Sequence, residues 1–79
     1  MSQIATFHSH YGAISFLRRL EALGDEEARM VPAPRKLSVS CGSAVRFSLP
    51  FDEMTMTDDD TERVFREEDN DYILIFDNE

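Results

Sequence analysis

The apolar residues in the first third of the chain change from a strand-like to a helical period. Residues 4–7 form a short apolar run, which predicts a first strand. From Tyr11 to Leu23 the apolar residues recur at spacings of three and four, which is typical of an amphipathic helix. Ser9 is placed to cap this helix, because its hydroxyl can accept from a free backbone N–H, and Gly24 is placed to end it.

The middle of the chain predicts two more strands separated by a stiff loop. Residues 28–31 suit a short strand, and Pro32 and Pro34 then end regular pairing. Residues 44–49 alternate between apolar and other side chains, which predicts a third strand. The segment between these strands, residues 35–42, is a polar loop or a short helical turn.

The last third predicts a second helix and a fourth strand. Three aspartates at residues 58–60 put negative charge where the macrodipole of a helix favours it, so we expect a helix from there to about Glu68. Its narrow apolar face would consist of Thr61, Val64 and Phe65. The apolar run at residues 72–76 predicts a strand buried on both faces, hence a central strand.

The order of these elements is strand, helix, strand, strand, helix, strand. For one small domain over residues 1–79, that order predicts an α+β fold of ferredoxin-like βαββαβ type: a four-stranded antiparallel sheet with two helices on one face. Right-handed crossovers would place the first and third strands in the middle of the sheet. A core this small would gain from formation of a homodimer, which buries more surface.

Charge divides the chain into two unequal halves. The net charge of −8 combines +2 over residues 1–49 with −10 over residues 50–79. A net anionic protein is a poor partner for a phosphate backbone, so nucleic-acid binding is not expected. The acidic half is either a solvated face or a docking surface for a basic partner. In both cases six carboxylates are expected to be exposed: Asp58, Asp59, Asp60, Glu67, Glu68 and Asp69.

The cysteine count and the absence of targeting or membrane segments indicate the expected compartment and limit the kinds of site that can form. It has one cysteine, so neither an intramolecular disulfide nor a mainly cysteine zinc site can form, and no cofactor is expected. No segment resembles a signal peptide or approaches the roughly 20 apolar residues of a membrane span. We therefore expect a cytoplasmic protein without a membrane partner.

The single thiol, Cys41, lies among residues that favour a reactive cysteine. Gly42 leaves room for a substrate beside the sulfur, and a turn at Ser40 could direct backbone N–H groups toward it. Arg35 and Arg46 are close in sequence, with no acidic residue between Glu27 and Asp52, and positive charge stabilises a thiolate. The alternative is that the cysteine is a small buried core residue.

Two other groups of residues have a chemical and a structural interpretation. His8 and His10 follow the first strand and could supply a base or proton donor near Cys41, or a three-ligand metal site with it; alternatively, they are surface histidines. Met54 and Met56 fit packing better than a thioether metal site.

Residues 31–47 also carry a family resemblance. The relevant positions are Pro34, Arg35, Ser38, Ser40, Cys41, Gly42, Ala44, Val45, Arg46 and Phe47. This pattern resembles the selenium/sulfur carrier-like family of short bacterial proteins, and Phe7, Ser9, Ala13 and Ile14 extend the likeness. The resemblance covers roughly residues 4–48. It implies that Cys41 receives sulfane sulfur or selenium, for example from a cysteine desulfurase, and passes it to an acceptor such as selenophosphate synthetase.

Three functions therefore stay open at this point. The first is a carrier with a persulfide or selenopersulfide on Cys41, which would be a protein substrate rather than an enzyme with its own turnover. The second is a small ferredoxin-like binding or regulatory module in which Cys41 is structural. The third is a metal-binding protein that uses His8, His10 and Cys41.

Overall fold

The segments with strand-like patterns assemble into one antiparallel sheet with both helices on the same face. The structure is a computed structural model, and it describes residues 2–37 and 41–78. The elements in chain order are β1 (Gln3–Phe7), α1 (His10–Ala22), β2 (Arg29–Pro32), a 3-10 turn (Arg35–Leu37), β3 (Ser43–Phe47), α2 (Glu53–Met56), β4 (Thr61–Glu68) and β5 (Asp71–Asp77). None of the helices in this described part is long and apolar enough to cross a bilayer.

The sheet has five strands in the order β2-β3-β1-β4-β5, and every neighbouring pair is antiparallel. The prediction of an α+β fold is confirmed. The predicted adjacency of the first and third strands is also found, with β1 in the middle of the sheet. The prediction of a four-stranded ferredoxin-like sheet is wrong, because an additional strand forms in the acidic half.

The first helix begins and ends where its capping residues predict. Ser9 has an extended backbone, and its Oγ accepts from the backbone N–H of Gly12 at 3.2 Å. Gly24 follows the helix with a φ of +95°, a left-handed conformation that glycine adopts without strain.

Gly12 has a different role: a Cβ built there would lie 2.6 Å from the Cβ of Asp60. The glycine therefore lets the segment before β4 approach the start of α1.

The larger core fills the space between the sheet and the helices. The ring of Phe16 in α1 lies between Phe7 and Phe47, with centroid distances of 5.2 and 5.3 Å. These three side chains are almost fully buried. The buried residues of this cluster are Ala5, Phe7, Ala13, Phe16, Leu20, Val45, Phe47, Met56 and Val64. Burial of apolar side chains from one face of the sheet against α1 supplies the main driving force for folding.

A smaller cluster lies on the opposite face of the sheet. Ile4, Ala44 and Phe65 come from three neighbouring strands, and Leu37 of the 3-10 turn packs onto them. Leu37 is only 8% exposed, although it belongs to an otherwise polar loop. The turn therefore acts as a partial cover for a face that has no helix.

The second predicted helix is wrong: residues 61–68 form strand β4 between β1 and β5. The error has a physical cause. In the pairing with β1, Thr61 lies opposite Phe7 and Arg63 lies opposite Thr6, so Glu62 is an extra residue in a β-bulge. The bulge places Thr61 and Val64 on the same face at a spacing of three, which imitates the period of a helix.

The predicted central position of the last strand is also wrong. Strand β5 lies at the edge of the sheet, where only β4 pairs with it among the described residues. Three of its apolar side chains are exposed: Ile73 by 41%, Leu74 by 48% and Ile75 by 37%. The continuous apolar run therefore marks an edge strand with an exposed apolar surface rather than a buried strand.

The acidic residues are exposed only in part. Asp58, Asp59 and Asp69 are exposed as expected, whereas Asp60, Glu67 and Glu68 are half-buried. The half-buried carboxylates have partners, since Asp60 accepts from Ser9 and the two glutamates pair with arginines. The solvated face is therefore smaller than the charge count predicts.

Candidate functional site

Cys41 lies at the base of the loop that joins β2 and β3. The paired residues nearest this loop are Pro32 and Ser43, and the ladder is extended by a hydrogen bond of 2.8 Å from the Ala33 N–H to the Gly42 carbonyl oxygen. Cys41 is thus the residue directly beyond the paired part of the hairpin. Its backbone position is set by regular pairing on the side of β3.

The other side of the loop is held by side chains. Leu37 packs into the smaller cluster, as described above. The Nζ of Lys36 donates to the carbonyl oxygen of Asn70 at 3.2 Å and lies 3.8 Å from Asp71. These contacts tie the loop to the turn between β4 and β5. Ser40, with Ser38 and Val39, lies outside the described residues.

Cys41 and Gly42 are both accessible to solvent among the described residues. Cys41 is a free cysteine of intermediate exposure, and Gly42 is exposed. A Cβ built on Gly42 would meet no atom of the described residues within 4 Å, apart from its chain neighbours. The packing of the described part of the chain therefore does not require a glycine there.

The two arginines that the sequence pointed to have different surroundings. Arg35 is exposed on the 3-10 turn of the same loop. Arg46 is five residues beyond Cys41, roughly 16 Å along an extended strand. Its guanidinium donates to both carboxylate oxygens of Glu67, at 2.8 and 3.1 Å. A stabilising effect of either arginine on the thiolate stays a prediction.

The pair between Arg46 and Glu67 changes the titration of both groups. Hydrogen bonding to Glu67 raises the pKa of Arg46, and the negative charge of Glu67 adds to this effect. Burial alone would raise the pKa of Glu67, but hydrogen bonds from Arg46 and Ser2 lower it below its ordinary value. Arg46 therefore has its own counter-ion on the sheet.

His10 is brought to the Cys41 end of β3. Its Nδ1 lies 2.9 Å from the Oγ of Ser43, which is two residues after Cys41. His8 lies elsewhere, with its Nδ1 4.0 Å from an oxygen of Glu62. The fold thus separates the two histidines and leaves His10 as the one that neighbours the loop base.

The three-ligand metal site does not form from these residues. His8, His10 and Cys41 are all described, and within residues 2–37 and 41–78 no group of three or more His, Cys, Asp or Glu side chains has the spacing of a metal site.

The sequence-based prediction did not identify two residues of the site, Ser43 and Leu37. Ser43 lies within residues 31–47 but is not one of the positions that carry the resemblance, and nothing in the sequence connected it with His10. Leu37 anchors the loop through burial. Its signal was present, since an apolar residue among polar neighbours in a loop is a candidate anchor.

Comparison with known proteins connects this loop to a family. The model of the family described as "Putative Se/S carrier protein-like" matches residues 2–56, from β1 through α2, and this range includes Cys41. No curated protein and no solved structure matches the chain. Because the matched range is more than half of the 79 residues, the chain belongs to the Se/S carrier protein-like family.

Proposed function

We propose that this protein carries sulfur or selenium as a persulfide or selenopersulfide on Cys41. The observation that carries the proposal is that the family match spans Cys41, which is a partly exposed free thiol at the base of an anchored loop. Transfer between two proteins needs a thiol that a partner can reach, and the partial exposure of Cys41 supports this.

The loading step is an exchange between sulfur atoms. The Cys41 thiolate attacks the terminal sulfur of a donor persulfide, a new sulfur–sulfur bond forms on Cys41, and the donor leaves as a thiolate. The proton lost by the Cys41 thiol balances the proton that the donor thiolate takes up. The transfer moves one sulfur atom without a net oxidant or reductant, and the same scheme holds for a terminal selenium.

The single cysteine suits storage of such a species. A persulfide in a protein with a second nearby thiol is attacked by that thiol and lost as a disulfide. This chain has no other cysteine, so a loaded Cys41 would keep its cargo until an external acceptor arrives. A partner such as a cysteine desulfurase would load the protein, and an acceptor such as selenophosphate synthetase would unload it in the cytoplasm.

His10 is the proposed partner for the proton movements of both steps. Its Nδ1 lies 2.9 Å from the Oγ of Ser43, which is two residues after Cys41. A neutral imidazole accepts the proton released when the thiolate forms, and the imidazolium stabilises the anion. This role assigns a function to the contact between α1 and β3.

The proposal is tested by following labelled sulfur through both steps. The protein is incubated with a cysteine desulfurase and radiolabelled cysteine, separated from the donor, and then mixed with an excess of a small thiol or with selenophosphate synthetase. We expect label on the native protein, none on a Cys41→Ser variant, and release of the label to the acceptor. Label that never leaves Cys41 would contradict a carrier role.

A further inference from the structure

Strand β5 presents an open hydrogen-bonding edge. The turn between β4 and β5 consists of Asp69 and Asn70, with φ of 47° and 66°, which is a two-residue turn of the type that closes tight hairpins. In such a hairpin the pair next to the turn, Glu68 and Asp71, exchanges hydrogen bonds, and bonded pairs then alternate with non-bonded ones. The backbone groups of Tyr72 and Leu74 therefore point away from β4, toward the open edge.

The edge lacks several devices that usually protect such strands. Natural edge strands are often very short or interrupted by proline and lysine. Strand β5 is seven residues long, contains neither residue type, and no Lys or Arg follows Arg66 in the chain. Ile75 has no pairing partner in β4 and forms a bulge in β5. The part of β5 from Asp71 to Leu74 pairs regularly.

A shallow apolar groove lies beside this regular part. Its volume is about 340 Å³. Its apolar wall consists of Leu37, Phe65, Tyr72 and Leu74, and its charged rim consists of Lys36, Arg63 and Asp71. The side chains of Tyr72 and Leu74 point to the face of the sheet that has no helix, since their pairing partners are Glu67 and Phe65. A strand added next to Tyr72 and Leu74 would place alternate side chains against this groove.

The charges around β5 indicate what kind of segment could bind at this edge. Acidic residues mark both ends of the strand: the side chain of Asp71 is 77% exposed and lies 3.8 Å from Lys36, and that of Asp77 is 40% exposed and lies 3.4 Å from Arg63. A third exposed carboxylate, Asp69, lies in the adjoining turn, so the acidic side chains outnumber these two cations. A second copy paired antiparallel about Leu74 would place Asp71 opposite Asp77, and like charges directly opposite each other destabilise a sheet. Two copies would also each carry a charge of −8. A strand with basic ends has the complementary pattern.

We infer that β5 binds an extended segment of a partner protein that is apolar in its centre and carries Lys or Arg at both ends. The segment adds to the sheet as a sixth strand, with its apolar side chains in the groove beside Leu37, Phe65 and Leu74. This inference does not depend on the chemistry of Cys41, because the thiol takes part in none of these contacts, although Leu37 of the same loop forms part of the groove.

The test uses a synthetic peptide of alternating valine and threonine with two lysines at each end. Amide exchange of the full chain is followed by NMR with the peptide at about ten times its dissociation constant. We expect exchange of the Tyr72 and Leu74 amides to slow by about tenfold, whereas the amide of Ile73, already bonded to β4, changes little. The matched control peptide has glutamates in place of the lysines, and it should bind at least tenfold more weakly.

Two variants locate the binding site. Leu74→Lys places a charge at the groove and should abolish binding of the lysine-ended peptide. Met54→Lys changes another exposed apolar residue, 88% exposed on α2, and should leave binding unchanged. Equal binding of both peptides, binding that survives Leu74→Lys, or no binding would overturn the inference. Protection of the Tyr72 and Leu74 amides that rises with protein concentration alone would show instead that a second copy occupies the edge.

Discussion

The Nδ1 of His10 lies 2.9 Å from the hydroxyl oxygen of Ser43. The contact joins the first turn of α1 to the beginning of β3, two residues after Cys41. It connects parts of the chain that are far apart in sequence and gives the base of the Cys41 loop a titratable side chain. If the protein handles sulfur at Cys41, this contact should matter more for reactivity than for folding.

We therefore predict that His10→Asn lowers the rate of Cys41 alkylation near neutral pH several-fold. The reason is the loss of a proton acceptor at the loop base. Because His10 is exposed, the free energy of unfolding should change by less than about 1 kcal/mol. Iodoacetamide kinetics and urea unfolding measure the two effects. His8→Asn is the matched control, since His8 faces Glu62, and an equal loss in both variants would exclude a specific role for His10.

Substitutions of the two arginines near Cys41 in sequence should have different effects on the alkylation rate. Arg35→Ala removes an exposed charge from the loop and is expected to slow alkylation with little loss of stability. Arg46→Ala removes a bidentate ion pair with Glu67. Because the Arg46 side chain is 41% exposed, the loss should lower the free energy of unfolding by about 1 kcal/mol. Its effect on alkylation should be smaller than that of Arg35→Ala. The reverse order would show that the charge of Arg46 reaches the thiol despite Glu67.

Asp25 should make stability depend on pH. Burial opposes its ionisation, but hydrogen bonds from the Leu49 and Ser48 amides, the Ser48 hydroxyl and the Glu27 amide outweigh burial and lower its pKa. A lowered folded pKa means that the ionised group stabilises the fold above its unfolded value of about 3.9. That stabilisation is lost as the pH falls through the folded pKa.

Asp25→Asn should therefore destabilise the protein by about 1–3 kcal/mol at neutral pH, because the backbone N–H groups lose a charged acceptor. The difference from the wild type should shrink as the pH falls below about 3.9. Urea unfolding at several pH values measures it. Glu26→Gln, at the exposed neighbouring position, serves as the control and should show no comparable loss. A constant difference at all pH values would mean that shape rather than charge is responsible.

Two glycine substitutions should have opposite consequences. Gly12→Ala brings a Cβ to 2.6 Å from the Cβ of Asp60 and should destabilise the fold by about 1–3 kcal/mol, even though alanine favours helices. A Cβ at Gly42 meets no atom of the described residues within 4 Å, so Gly42→Ala should change stability by less than about 0.5 kcal/mol. Thermal unfolding compares the two. If Gly42→Ala slows loading by a donor protein without affecting stability, the surface at Gly42 is part of a docking site.

The elements that the sequence predicted correctly are those with an undisturbed period and clear end signals. The stripe of α1, with Ser9 and Gly24 at its ends, is one example, and the alternation in β3 is another. Strand β4 was missed because the bulge at Glu62 changes a period of two into a spacing of three. The position of β5 was missed because a run of apolar residues does not tell whether the surface that covers it belongs to the same chain.

The candidate site divides in the same way. The loop that holds Cys41 could be predicted as a loop because proline and glycine flank it, whereas a functional role for the thiol stays a prediction. The contact between His10 and Ser43 depends on how α1 packs against β3. The ion pair between Arg46 and Glu67 depends on strand β4, which the sequence did not predict. Neither relationship can be obtained from neighbours in sequence.

The central claim, that Cys41 carries sulfur or selenium, is tested most directly by intact mass. The native protein is incubated with a cysteine desulfurase and cysteine under anaerobic conditions, and mass spectrometry is performed without a reductant. We predict an increase by the mass of one sulfur atom, reversed by dithiothreitol and absent in Cys41→Ser. A native protein that keeps its original mass, while its unfolded form is alkylated normally at Cys41, would contradict the claim.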